Sequence, residues 1–354
     1  MAAWMLYGAN GYTGQLIAAE AARRGLKPIL AGRNEPAVRS VADRHGLEAR
    51  VFALDDSAAI ARELEGVATV LLAAGPFGTT SGPMVEACMV AGANYLDVAG
   101  ELGVAEVCLA RDAEARARGC VVMSAAGFIT AAADCLAAAL NDALPDATRL
   151  DLAYGGNPTV SRGTVRTLLV EMPKGGAIRE RGEIRPIPLA SRTIEARFRH
   201  GTRTAVAVPW ADLATAYRTT GIPNVGVYVA LPAAQIATLR AVRFLAPLLR
   251  TEPVQYALGR GVDLIVGGPS EQLLRTARMQ LWGQATNAAG RSVEAFAETP
   301  QSYAFTARAT VEIVERLSAG GVRPGATTVG AAFGARFLTE LPGCELRVRA
   351  PSAR

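Results

Sequence analysis

Along the first third of the chain, short unbroken apolar runs alternate with stretches in which apolar residues recur every three or four positions. Residues 4–7 form the first run. Residues 14–24 (GQLIAAEAARR) follow with helical spacing, and Gly25 stops them. Residues 27–34 (KPILAGRN) then predict a second strand, 35–44 a polar helix and 49–54 a third strand. Residues 67–74 (VATVLLAA) are almost wholly apolar, as a central parallel strand covered on both faces should be, and GPFGTTSGP breaks them at the carboxyl end. Residues 95–99 and 121–124 predict strands five and six, with helices beginning near Gly82 and Val104. The βαβ alternation predicts an α/β chain with an N-terminal Rossmann-type, doubly wound parallel sheet.

After about Leu150 the period shortens. RLDLAY, RTIEARF, TAVAVPW and VGVYVAL alternate like antiparallel strands, and RMQLWGQATNAAGRSVEAFAE reads as two strands around an Asn-Ala-Ala-Gly turn. Helical stretches lie at AAQIATLRAVRFLAPLL, SYAFTARATVEIVERLSA and VGAAFGARFLTEL. The expected division is a nucleotide-binding domain over 1–150, an α+β domain dominated by antiparallel sheet over 151–300, and C-terminal helices over 301–354 that pack back on the first domain. The linker-like tracts are NPTVSRG and VGGPSE, and no internal repeat is visible.

The turn after the first strand, LYGANGYTGQL, places glycines at Gly8, Gly11 and Gly14. A strand, a glycine turn and a helix bring backbone N–H groups and the positive helix end to one point, where a dinucleotide pyrophosphate can sit. The spacing is G-x-x-G-x-x-G rather than the commonest fingerprint, so its place between strand and helix carries the reading. Asn10, Tyr12 and Thr13 belong to the same expected cofactor loop. At the end of strand two the residues are Gly32, Arg33 and Asn34, with no acid before Glu35. An arginine there suits a 2′-phosphate, so NADP(H) is the expected cofactor, with Arg39 as a second positive charge. Asp55 reads either as an acceptor for the adenine amine or as a helix cap, and Asp56 fits both roles as well. Ala74, Gly75, Pro76 and Phe77 fall at the carboxyl end of strand four, beside the cofactor by topology.

At 354 residues, half apolar and 19% charged, the chain is long enough for two domains and is not an extended disordered protein. Its net charge is +5, yet the arginines are scattered and no basic stripe carries interleaved aromatics, so no nucleic-acid partner is expected. Cys88, Cys108, Cys120, Cys135 and Cys344 form no CxxC pair, and the N-terminus starts its first strand without a leader pattern. The expectation is a reduced, cytoplasmic protein without a transmembrane segment. Two histidines, His45 and His200, make neither a metal site nor a Ser–His pair, so no metal is expected. Residues 233–249 carry Ile236, Leu239, Phe244, Leu245 and Leu248 with Arg240, Arg243 and Arg250 between them. They read as a core helix, a homodimer seam or a peripheral lipid-facing patch.

YGANGYTGQL, AGRN, AGPFGTTSGPMVEACMVAGANYLDVAGE and TGIPNVGVY together resemble the saccharopine dehydrogenase-like oxidoreductases, in particular the branch that includes trans-acting enoyl reductases. The resemblance implies a Rossmann domain, an inserted substrate domain, NADP(H) and a dimer. One segment departs from it. Where that branch carries Gly-Phe-Asp-x-x-Pro-x-Asp, this chain has GFITAAAD over 127–134, so Ile129 replaces the first acid and Ala132 the proline. Thr130 is then the only hydrogen-bonding side chain over 127–133, which suits an apolar, acyl-type substrate. Asp134 matches the later acid and reads equally as an exposed or capping one.

For proton transfer, Tyr95, Asp97 and Glu101 border the carboxyl end of strand five, and Tyr217 comes from PWADLATAYRTTGIPN. A tyrosine can protonate or hold a developing oxyanion, and each of the four also reads as a packing residue. Lys174 sits in a Gly-flanked turn and reads as a surface residue. The expected function is NADPH-dependent hydride transfer to the C=C bond of an apolar small molecule, free or carrier-bound. The alternatives are a C=N amino-acid dehydrogenase of the saccharopine type and a non-catalytic NADP-binding regulator.

Overall fold

The computed structural model describes residues 2–156, 161–249, 251–265 and 268–352. They belong to two units, one of Met1–Ala131 with Tyr303–Ala332, the other of Ala132–Ser302 with Phe333–Arg354. The division falls inside the helix Phe128–Ala143, whereas the sequence-based boundaries stand at 150 and 300. The C-terminal segment is shared between the units.

Counting strands along the chain, the first unit contains β1 (Trp4–Tyr7), β2 (Ile29–Gly32), β3 (Ala49–Val51), β4 (Thr69–Leu72), β5 (Asn94–Asp97), β6 (Val121–Met123) and β15 (Gly325–Ala326). Their order is β15-β6-β5-β4-β1-β2-β3 and every pair is parallel. The order in which strands are added therefore reverses between β1 and β4, where Tyr7 lies opposite both Ala31 and Leu72. All four residues of β1, β2 and β4 are buried, which is why those runs carry no alternation. Strand three is shorter than expected and ends at Val51; beyond it the Phe52 carbonyl accepts the Tyr7 hydroxyl at 2.8 Å. The helix expected near Gly82 starts at Phe77. The hydroxyls of Thr79 and Thr80 turn back onto the Pro76 carbonyl and that of Ser81 onto the Phe77 carbonyl, so this small-residue stretch winds into the helix instead of standing off as a loop.

β15 has no sequence pattern, whereas the helix Ser302–Ala319 is one the sequence predicts. β15 has two residues, and Gly325 lies beside Asp112 at φ +131, with the Asp112 carboxylate accepting the Ala326 N–H at 2.9 Å. The helix Ser302–Ala319 closes the layer over the first helix, where Arg24 reaches Glu312 at 2.9 Å and Glu315 at 2.6 Å.

The second unit holds a nine-stranded sheet made of β7 (Ala147–Gly155), β8 (Gly176–Glu180), β9 (Glu183–Ile187), β10 (Thr193–Phe198), β11 (Gly201–Ala207), β12 (Asn224–Ala230), β13 (Arg278–Asn287), β14 (Ser292–Pro300) and β16 (Glu345–Ser352). Among the described residues its one parallel pair is β12 with β7; the other pairs are antiparallel. The Asn287 turn forms, its side chain accepting from the Ala289 and Arg291 N–H groups. The single helix expected over 233–249 breaks into Ala233–Val242, a 3-10 turn Arg243–Leu245 and a short helix Ala246–Leu249. Ile236 is the one buried residue of Ala233–Val242, and Phe244, Leu245 and Leu248 are 73%, 53% and 57% exposed, so the segment is not a core helix. Arg250, residues 157–160 of one linker-like tract and 266–267 of the other lie outside the described residues. Among the described residues no helix is long and apolar enough to cross a membrane.

Candidate cofactor site

The three glycines after β1 have separate jobs. Gly8 takes φ +89, and a Cβ on it would stand 2.8 Å from the backbone of Ala73 and Ala74. A Cβ on Gly14 would stand 2.1 Å from the Gly8 carbonyl oxygen. Both therefore serve close packing of the turn against β4 and of the first helix against the turn. Gly11 differs: φ is −72°, and only the Gly8 oxygen, at 3.3 Å, lies near a Cβ placed there. Gly11 is also the N-cap of the helix Tyr12–Arg23, whose first turn has no side-chain cap and no acid. A helix start left in this way presents backbone donors and the positive end of its dipole, the chemistry that can hold an anion. Asn10 stands next door, its Oδ1 within 3.2 Å of a Cβ placed on Gly32. The Tyr12 ring packs edge-on against Tyr303 at 5.1 Å, a neighbour too remote in sequence for any pattern to reveal.

At the end of β2, Arg33 is exposed and its guanidinium makes no hydrogen bond or ion pair among the described residues. Asn34 caps the helix Glu35–His45 by accepting the Ala37 N–H at 3.2 Å. Arg39 pairs with Glu35 at 2.9 Å on the exposed face of the same helix, so it is not a second free charge. The Tyr7 phenol is pushed up to about 12, mainly by burial; Arg33 opposes the rise and Asp55 adds to it, which places both charges near that hydroxyl. The cap of the helix Ser57–Glu63 is Asp56, which accepts the Ala58 N–H at 2.9 Å, and Asp55 is left exposed beside it.

Past β4, the Ala74 carbonyl accepts the Thr80 hydroxyl at 2.7 Å, Gly75 and Pro76 are exposed, and the Phe77 N–H donates to Glu101 Oε1 at 3.3 Å. Glu101 also accepts the Gly100 N–H at 2.9 Å; burial raises its pKa above the ordinary carboxylate range. It ties the β4 loop to the loop after β5.

Tyr95 and Asp97 are corrected by the structure. Both are fully buried, and the Tyr95 hydroxyl donates to Asp97 at 2.7 Å. Asp97 also accepts from the Ser124 hydroxyl and from the Ala99 and Ala125 N–H groups, at 2.7–2.9 Å. With no accessible atom, the pair holds the ends of β5 and β6 and cannot reach a substrate. The grip falls on Ala125, a non-glycine residue at φ +61. Ser124 and Ala125 are the partners that sequence reading missed.

Thr130 is corrected as well: it is buried and its hydroxyl turns onto the Ala125 carbonyl. Ile129 packs at Gly100, its Cδ1 3.3 Å from a Cβ placed there. The segment thus turns no hydroxyl outward. In the second unit, Asp134 is buried and accepts the Thr219 hydroxyl at 2.6 Å, neither exposed nor capping. Tyr217 is half-buried in the helix Asp212–Thr220, and the Arg179 guanidinium lies 4.4 Å over its ring.

Residues 4–126 match the saccharopine dehydrogenase NADP binding domain. Over 105 residues the chain is 36% identical to the trans-acting enoyl reductase of Mycobacterium ulcerans (strain Agy99), a match covering 28% of this chain and 25% of that protein. The chain thus spans about a quarter of the length of the curated relatives it matches. Its fold is that of apo saccharopine dehydrogenase (L-Glu forming) from Saccharomyces cerevisiae, with a TM-score of 0.66, 11% identity and full coverage of both chains. By sequence, then, the part of the chain that carries the glycine turn and Arg33 is an NADP-binding domain of the saccharopine dehydrogenase type.

Proposed function

We propose that this protein is an NADPH-dependent oxidoreductase that reduces the C=C bond of an apolar, acyl-type substrate. The carrying observation is the uncapped helix start at Gly11 together with the unpaired Arg33 at the end of β2. In this reading Gly11 and the first turn of its helix hold the pyrophosphate, while Arg33 holds the 2′-phosphate and Asp55 contacts the adenine side. Gly75, Pro76 and Phe77 line the nicotinamide side, fixed there by Glu101. Bound NADPH supplies the hydride. The inward Thr130 hydroxyl and the Ile129 side chain support an apolar substrate, and the partial likeness to a protein named as an enoyl reductase supports the C=C bond. Water supplies the proton, since Tyr95 and Asp97 are sealed.

The exposed Phe244, Leu245 and Leu248 support a homodimer seam or a lipid contact on the second unit. Five free cysteines, four of them buried, support a cytoplasmic setting.

NADPH oxidation with a panel of enoyl thioesters, imines and 2-oxo acids tests the reading. Turnover confined to the enoyl thioesters is expected. Turnover confined to imines or 2-oxo acids overturns the substrate class, and binding without turnover of any of them leaves a regulator. Sedimentation by dilution and with liposomes tests the apolar patch: a monomer that ignores lipid removes both roles.

A further inference from the structure

A cavity of about 400 Å³ opens in the second unit between the tip of the β10–β11 hairpin and the ends of β13 and β14. The hairpin folds over the sheet there. Phe198 covers Gly155, where a Cβ would stand 2.8 Å from the ring, and Arg197 and Arg199 reach Glu294 and Glu298 of β14 at 3.3 and 3.4 Å. The wall consists of Phe198, Arg199, His200, Arg203, Arg278, Gln280 and Glu298 with the Gly156 backbone.

Its charge is one-sided. Three guanidinium groups face one carboxylate, and that carboxylate is engaged by Arg199. Arg203 and Arg278 make no hydrogen bond or ion pair among the described residues. Surface arginines are ordinary, but two unpaired ones converging on a concavity with a third, a Gln amide and a phenyl wall form a set of donors whose one carboxylate neighbour is already engaged. Three positive charges less one negative leave two, matching a dianion, and planar guanidinium forks suit tetrahedral oxyanions. The volume exceeds that of a lone oxyanion, and Phe198 gives the remainder an apolar side.

We propose that this cavity binds a phosphate group, free or as the ester of a small molecule. The inference does not depend on the cofactor reading, because every residue of the cavity lies in the second unit.

Calorimetric titration of the full-length protein with inorganic phosphate, phenyl phosphate and succinate, at constant ionic strength, tests it. Arg203→Gln and Arg278→Gln should each weaken phosphate binding roughly ten-fold, and Glu298→Gln should tighten it about three-fold. The gain is a change that a misfolded variant does not mimic. Tighter binding of phenyl phosphate than of phosphate assigns the site to an ester; equal binding assigns it to the phosphate head alone, and both support the proposal. Succinate binding as tightly as phosphate overturns the ligand class. Loss of phosphate binding in Arg33→Ala but not in Arg203→Gln or Arg278→Gln places the anion at β2 and overturns the site. Unchanged NADPH affinity in Arg203→Gln separates the two readings, so either can fail alone.

Discussion

The carboxyl ends of β1 and β2 and those of β5 and β6 lie in one sheet, carry polar residues in comparable numbers, and do opposite things. At β1 and β2 the donors are left open: the helix after Gly11 has no capping side chain, and Arg33 has no partner. At β5 and β6 the polar atoms close on each other, with Asp97 taking four donors from Tyr95, Ser124, Ala99 and Ala125. A ligand can be recognised only by groups that the fold has not already satisfied, because breaking a buried charge-assisted bond to make another gains little. Strand position is alike at both ends; what separates them is whether a partner already occupies the atom.

The closed end gives the largest expected effect. Asp97→Asn keeps the size of the side chain but offers one oxygen and two N–H donors to four donors, leaving several of them unsatisfied in a dry site. The loss of stability should be roughly 3–5 kcal/mol, measured by urea unfolding. Ser124→Ala, which removes one donor only, should cost about 1 kcal/mol. A cost below that for Asp97→Asn would mean water reaches the cluster, and the contrast with β2 would fall.

How far the sequence reveals this arrangement follows from the same contrast. Runs such as VATVLLAA announce β4, since a strand buried on both faces has no polar side to show. The glycine turn and Arg33 are legible because they are local: strand, turn, helix and strand end lie within about thirty residues, as such units do. The polar hairpin of β8 and β9 escapes, its positions being arginine- and glutamate-rich with Arg181 and Gly182 both at positive φ in the turn. β15 escapes because two residues have no period. Tyr303 beside Tyr12 and the Arg24 pairs to Glu312 and Glu315 depend on a helix that returns from the far end of the chain. The structural roles of Tyr95 and Asp97 escape for a different reason: a residue's place at a strand end is local information, but its burial is not.

In the second unit, Asp212 stands between the two extremes. One of its oxygens accepts the Tyr154 hydroxyl, the other is buried without a partner, and burial pushes the carboxyl from its ordinary 3.8 up to about 8, with Asp134 adding to the rise. The folded state therefore holds a proton that the unfolded state has lost. This stability is fully present below about pH 4 and is lost as pH rises toward 8. Asp212→Asn should remove that part of the slope and match or exceed the parent at pH 8, as chemical unfolding at a series of pH values would show. An unchanged slope would assign it to other groups and leave Asp212 ionised.

At the open end the expected effect is on binding alone. Arg33→Ala removes a charge-assisted contact to the 2′-phosphate and no contact within the protein. NADPH affinity should fall roughly 10- to 150-fold, about 1.5–3 kcal/mol, with NADH affinity and unfolding unchanged. Equal losses for the two cofactors would make Arg33 a general anchor and not a selector. Gly11→Val should abolish binding of both, and it should do so by filling the space at the helix start, because φ at Gly11 is already one that valine adopts.

The smallest effect sharpens the comparison most, because it sets two arginines six positions apart against each other. Arg39 is exposed like Arg33 but pairs with Glu35 one helical turn earlier, at 2.9 Å, with both side chains more than half exposed. Such a pair contributes roughly 0.3–0.5 kcal/mol and is screened by salt. If an unsatisfied group is what recognises the cofactor, Arg39→Ala should lower stability by no more than that and leave NADPH affinity within about two-fold. Glu35→Gln then becomes the informative partner. It frees Arg39 without removing a positive charge, so NADPH binding should hold or tighten slightly at low salt and return to the parent value at high salt. A drop in NADPH affinity in Arg39→Ala as large as that in Arg33→Ala would show that a surface pair opens readily for the ligand, and the distinction between engaged and open groups would no longer separate binding residues from structural ones at this strand end.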